Sequence, residues 1–254
     1  MHSLCCMVAL VSVIVGAQVR LGSATAQNAG RPHAAIPVMW LIFVDDLHLD
    51  FRHTGRIRDL LRSTASTLVR DGDAVTMLAD GPSRVQFEAF DIRERQSFHA
   101  AIKMVTGNAL KPSDTIRSTA GSDLREARYR AQQAVSAARS LVDTGSRTPR
   151  MRAAMLYVSN GYSGNDVAVS EGLATVREHA FRSRVPIFSL DPRLLYGKHD
   201  LDALVSPEAW AAHWTSTRSS LRALTAGTGG LANEEGDDLS AVFRRIADAV
   251  RDAR

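Results

Sequence analysis

Val38-Met-Trp-Leu-Ile-Phe-Val-Asp-Asp46 decides how the rest of the chain is read. Its seven apolar residues run without a polar break and stop at two carboxylates. A strand covered on one face alternates apolar and polar, whereas a strand covered on both faces is apolar throughout. The run therefore predicts a strand over Val38–Val44 in the middle of a parallel sheet, ending in Asp45 and Asp46. Downstream, Ile57, Leu60, Leu61, Thr64 and Leu68 share one face at helical spacing, which predicts a helix over Thr54–Arg70. Ala74–Ala79 reads as a second strand closed by Asp80-Gly81-Pro82, and Arg84–Phe90 alternates as an antiparallel edge strand.

The alternation continues to the end of the chain. Helices are predicted over Glu94–Val105, Asp123–Val142, Val167–Arg182 and Ser216–Thr225, with a last one opened by Asp237-Asp238. Strands are predicted over Met151–Val158 and Val185–Leu190, with a short one at Leu231-Ala232. Residues 106–122 read as a polar loop, and 193–214 as a long irregular segment. The expected fold class is α/β: a doubly wound, mainly parallel sheet with one antiparallel edge strand and helices on both faces. Such sheets bind ligands beyond the carboxyl ends of their strands. That edge would collect Asp45, Asp46, His48, Asp80, Asn160, Ser163 and Asp191.

The 254 residues are 45% hydrophobic and 23% charged, an ordinary globular composition that excludes collagen-like and coiled-coil chains. Cys5 and Cys6 are the only cysteines. Both lie in an apolar run, Leu4–Ala17, that is shorter than the ~20 residues of a membrane span and is followed by Ala24-x-Ala26. Residues 1–26 are thus expected to be a signal peptide cleaved before Gln27, with 27–36 a leader and 37–254 the folded domain. The product would be secreted or periplasmic, without a membrane span and without cysteine chemistry. The net charge of +4 is spread over dispersed arginines with no basic run, so nucleic acid is not an expected partner.

Five stretches in order resemble the von Willebrand factor A domain, and more specifically the bacterial secreted VWFA-related type. They are Leu41-Ile-Phe-Val-Asp-Asp-Leu-His-Leu49, Leu68-Val-Arg-Asp-Gly-Asp-Ala-Val-Thr76, Ala154-Met-Leu-Tyr-Val-Ser-Asn-Gly161, Val185-Pro-Ile-Phe-Ser-Leu-Asp-Pro192 and Leu224-Thr-Ala-Gly-Thr-Gly-Gly230. The resemblance covers 37–254. It implies a Rossmann-like fold serving protein–protein recognition in adhesion or envelope assembly. It also implies a metal-ion-dependent adhesion site, whose pattern is Asp-x-Ser-x-Ser, a loop Thr and a later Asp. Here Asp45 matches the first Asp, Leu47 and Leu49 replace the serines, Asn160 replaces the later Asp, and Thr115 or Thr119 would be the loop Thr. Mg²⁺ takes hard oxygen ligands, which leucine lacks. The expected site is therefore degenerate, holding no ion or only a weakly bound Mg²⁺, Mn²⁺ or Ca²⁺ at Asp45, Asp46, Asn160 and Thr115. Without a metal, either one of two adjacent carboxyls has a raised pKa, or Asp46 turns away to solvent or to cap a loop.

The expected recognition face comprises Asp45, Asp46, His48, Asn160, Ser163 and Asp191, with Trp210 and Trp214 from the long segment. Those tryptophans, four apart, are either interface anchors or a plug over the sheet edge. A rival reading takes Gly161-Tyr-Ser163-Gly as a nucleophile elbow and the chain as a serine hydrolase. That reading needs an acid such as Asp191 and a histidine after the last strand, and no histidine follows His213. A third makes the chain a scaffold for the product of a neighbouring gene. No His-x-x-x-His pair supports zinc, and none of the three lysines falls in a predicted strand, as a phospho-receiver would require.

Overall fold

In the computed structural model, residues 36–251 are described, apart from 90, 93–94, 109–111, 118–121, 149, 164–165 and 196–204. The expected signal peptide, and the leader as far as residue 35, lie outside the described residues. Five strands form one sheet in the order β3-β2-β1-β4-β5. They are β1 Val38–Val44, β2 Ala74–Ala79, β3 Val85–Ala89, β4 Arg152–Val158 and β5 Ile187–Leu190. β1 pairs parallel with β2 and β4, and β5 parallel with β4. Among the described residues only the β2–β3 hairpin is antiparallel.

β1 is buried along its whole length because helices cover both faces. Val38, Trp40, Ile42 and Val44 point into one core with α1 (Thr54–Thr67), α2 (Arg95–Met104) and α8 (Leu239–Arg251). Met39, Leu41 and Phe43 point into the other, with α4 (Ser122–Ser146), α5 (Val167–Arg182) and α7 (Pro207–Thr225). The period-two alternation of a strand thus fills two cores from one apolar run.

A buried carboxylate closes the start of the sheet. Asp73 accepts from Val38 N (2.9 Å), Trp40 Nε1 (3.0 Å), Arg70 N (2.9 Å) and Arg251 Nη2 (2.7 Å). One side chain therefore joins β1, the α1–β2 connection and α8.

Two segments carry more helix than their sequence suggests. The predicted loop 106–122 contains α3 (Pro112–Arg117), and the segment 193–214 contains most of α6 (Pro192–Leu195) and the first half of α7. Ser206 caps α7 by accepting from Ala209 N (3.2 Å), with Pro207 in the first turn. Leu231-Ala232 is reduced to a single bridge, Ser189 to Ala232. Among the described residues no helix is long and apolar enough to cross a membrane.

Candidate functional site

Asp45 lies one residue beyond β1, and its N–H still donates to Val158 O of β4 (2.9 Å). Its side chain turns inward and the residue is 1% exposed. Oδ2 accepts from Ser159 Oγ (2.8 Å) and Tyr162 Oη (2.6 Å), and Oδ1 lies 2.8 Å from His48 Nδ1. The Tyr162 hydroxyl also bonds the Tyr157 hydroxyl. Burial pushes both phenols well above the ordinary tyrosine range, and the Asp45 charge adds to it. His48 stands edge-on to the Tyr162 ring at 4.5 Å between centroids.

Asp46 turns the opposite way. Oδ1 accepts from Gly81 N (2.8 Å) and Oδ2 from Ser83 N (2.7 Å), so it caps the β2–β3 turn. It is buried and not directed to solvent, and burial raises its pKa, with Asp45 the smallest contribution. Asp46 is thus a loop cap, and its pKa is raised by burial more than by the neighbouring Asp45 carboxylate.

Asp191, fully buried after β5, faces Arg193. Nε of Arg193 lies 2.9 and 3.1 Å from the two carboxylate oxygens, and Nη2 lies 2.7 Å from Oδ2. Nη2 also donates to Asn160 O (2.5 Å) and Thr217 Oγ1 (3.1 Å). The guanidinium sits 4.4 Å from the Trp214 ring centroid. Gly161 makes room for this junction between β4 and α7. Its φ is +79°, and a Cβ there would stand 2.2 Å from Thr217 O.

A cleft of about 1010 Å³ opens over these residues. His48, Asn160, Ser163, Arg193 and His213 line it, and apolar side chains of α4 and α5 form much of the remaining wall. Burial, and then Arg193, lowers the His213 pKa to about 4, so its ring is neutral at pH 7. A second hollow of about 950 Å³ lies on the β2–β3 side, around Asp80, Gly81 and Arg84. Leu47 lines both.

The expected face is therefore divided. His48, Asn160 and exposed Ser163 reach the cleft. Asp45 lies behind His48, Asp46 serves the β2–β3 turn, and Asp191 is held by Arg193. Trp210 and Trp214, at 7% and 8% exposure, pack with Leu194, Ile116 and Val205. This corrects their place on a recognition face, because they form a plug and present little to a partner. Thr115 falls in α3, with its side chain outside the described set, and Thr119 lies outside the described residues.

The residues do not fit the divalent cation that the resemblance implies. Two hydroxyls and a ring nitrogen already occupy the Asp45 carboxylate, and Asp46 is engaged by backbone N–H groups. Leu49, at the second serine position, is buried in the apolar core. Asn160 Oδ1 is buried without a partner among the described residues, but one neutral oxygen is no cation site. Among the described residues no group of three or more His, Cys, Asp or Glu side chains could hold a metal.

The sequence reading missed Ser159, Tyr162, Arg193 and Thr217. Arg193, two residues after a strand-ending Asp, was the one with a visible signal.

No family model matches the chain, and no curated protein matches it. Among solved structures, proximal thread matrix protein 1 from the mussel byssus overlaps 84% of this chain at 10% identity and a TM-score of 0.37. The chain spans 47% of that protein's length. The N-terminal domain of TFIIH p34 overlaps 84% of this chain and 97% of its own at 14% identity and a TM-score of 0.36. At these scores neither likeness bears on what the chain does.

Proposed function

We propose that the chain is a von Willebrand factor A-like recognition module, secreted or periplasmic, that binds another protein at the carboxyl edge of its sheet. The observation that carries this reading is the cleft and its apolar rim. Leu124 of α4 and Val167 of α5 line the cleft while remaining 38% and 70% exposed. Arg128 Nε bonds Asp166 Oδ2 beside them at 2.9 Å, fixing the start of α5 against α4. Apolar groups left in water around a preformed hollow favour a covering partner, at roughly 1.5–3 kcal/mol for each large side chain fully buried. The sheet order, with Asp45 at the end of the central strand and a polar-Gly turn after β4, supports the family resemblance on which adhesion or envelope assembly rests. Contact is made without a bridging cation, through the rim and the polar groups of the cleft.

A photo-crosslinking residue at Val167 in the producing cell tests this reading. One discrete crosslinked protein is expected, reduced about tenfold or more when Leu124→Asp places a charge in the apolar contact. No crosslink, or a crosslink indifferent to Leu124→Asp, refutes it.

A further inference from the structure

We infer that the edge of the sheet where the parallel strands begin, opposite the cleft, docks on a membrane surface rich in anionic phospholipid. β1, β2, β4 and β5 run parallel, so the connections leading into them share one edge. Arg70 stands before β2, Arg147 and Arg150 before β4, and Arg184 before β5. All four are exposed. With strands ~4.8 Å apart, β2 to β5 spans about 15 Å, so the four arginines lie within one patch of headgroups.

The fold does not account for these charges. Other arginines at the same edge serve helix ends. Arg95 donates to Ala65 O and Val69 O, Arg152 to Val250 O and Arg251 O, and Arg251 to Leu68 O. The side chains of Arg70, Arg147, Arg150 and Arg184 make no hydrogen bond or ion pair among the described residues. Nearby acids are committed: Asp73 is buried among its donors, Asp71 pairs with Arg95 (3.1 Å), and Asp143 meets His179 (2.6 Å). Exposed Asp91 and Asp248 offset part of the charge and leave the edge basic. Arg150 and Arg184 also hold φ of +76° and +56°, a region glycine enters freely and arginine rarely. The backbone there would be better served by another residue.

Apolar side chains stand beside the charges. Phe181, in the last turn of α5, is 64% exposed, and Ile36, before β1, is 47% exposed. Aromatic and basic side chains together suit the headgroup region of a bilayer. The expected signal peptide joins the domain at this edge through residues 27–36, which reach at most ~35 Å when fully extended. The choice of a bilayer over an acidic protein rests on that export reading. Docked this way, the domain turns its cleft away from the lipid.

The purified full chain is sedimented with vesicles of phosphatidylcholine alone or mixed with phosphatidylglycerol. Binding should rise with phosphatidylglycerol content and weaken in raised salt. A basic residue near an anionic surface is worth about fivefold in affinity, so Arg150→Gln/Arg184→Gln should bind about 25-fold more weakly. Arg56→Gln/Arg125→Gln, at the starts of α1 and α4 on the opposite edge, should bind as the wild type does. Phe181→Ala should weaken binding in low and high salt alike. Thermal midpoints of the variants check folding. Binding indifferent to phosphatidylglycerol, or an equal loss in the two arginine pairs, overturns the inference. So does capture of an acidic protein by a photo-crosslinking residue at Phe181 without any lipid dependence.

Discussion

Removing the Arg193 guanidinium should be among the most damaging single changes the fold can suffer. In Arg193→Met the Asp191 carboxylate, with no exposure to water, keeps the Arg193 backbone N–H at 3.0 Å but loses its cation. The Asn160 carbonyl and Thr217 hydroxyl each lose a donor, and Trp214 loses the charge stacked on its ring. A buried pair broken from one side costs about 3–5 kcal/mol, chiefly because the remaining charge stays dry. For a domain of this size each kcal/mol moves the midpoint by about 2–4 °C, so a fall of about 6–20 °C is expected. Urea unfolding followed by tryptophan fluorescence measures the loss, and Trp214 reports the junction directly. Asp191→Asn alone should cost a comparable amount. The double variant Asp191→Asn/Arg193→Met should lose less than the sum, with a coupling of about 1 kcal/mol or more. A loss below about 1 kcal/mol in Arg193→Met, or strict additivity in the double variant, would show that water reaches the pair and that the reasoning is wrong.

His213 is neutral in the folded protein because its pKa is lowered to about 4, while in the unfolded chain it takes a proton near 6.5. Its contribution to stability is complete above pH 6.5 and is lost as pH falls toward 4, on the order of 3 kcal/mol; His213→Phe should flatten that limb of the pH–stability curve. Asp46 behaves with the opposite sign: its pKa is raised, so its contribution is fully present below pH 3.8 and declines as pH rises through the folded value. Asp46→Ala should cost about 1–2 kcal/mol through two uncapped N–H groups, and Asp46→Asn less, measured by chemical denaturation at pH 7. Adding Mg²⁺, Mn²⁺ or Ca²⁺ after EDTA treatment should leave the thermal midpoint unchanged, whereas a site filled at 100 times its dissociation constant would add ~2.7 kcal/mol.

Where hydrophobic pattern and burial agree, the elements were legible from sequence to the residue. β1, β2 and α5 begin and end as the sequence reading places them, because apolar runs, a glycine-containing turn and the Asp166 cap all point one way. α3 escaped because Pro112-Ser-Asp-Thr-Ile-Arg117 carries one large apolar residue and so shows no period. The start of α7 was marked by Ser206-Pro207, a cap followed by a first-turn proline, but the irregular stretch before it masked the signal. α4 runs on to Ser146 through Gly145, where a Cβ would stand 2.6 Å from a Leu41 methyl; close approach to β1 explains a glycine that propensity reads as a stop.

In the site, the sequence brings Asp45 and Asp46 together but says nothing of their directions. Consecutive residues leaving a strand point to opposite sides, so one reaches Ser159 and Tyr162 and the other the β2–β3 turn. The Asp191–Arg193 pair is two residues apart and so visible in sequence, but the contacts of Arg193 with Thr217 and Trp214 of α7 join distant segments, and no local pattern encodes them.

The central place of β1 has a consequence for how the chain is made. β1 needs β2 on one edge and β4 on the other, and β4 is translated about a hundred residues later, roughly 5–20 s at ordinary synthesis rates. For that interval Val38–Val44 is an uncharged, β-prone segment with an unpaired edge, the kind that recruits copies of itself. Pro37 before it and Asp45-Asp46 after it bracket the run with a residue that cannot donate and two negative charges. The carboxylates that organise the finished edge of the sheet are thus also the nearest guards against aggregation of the unfinished one.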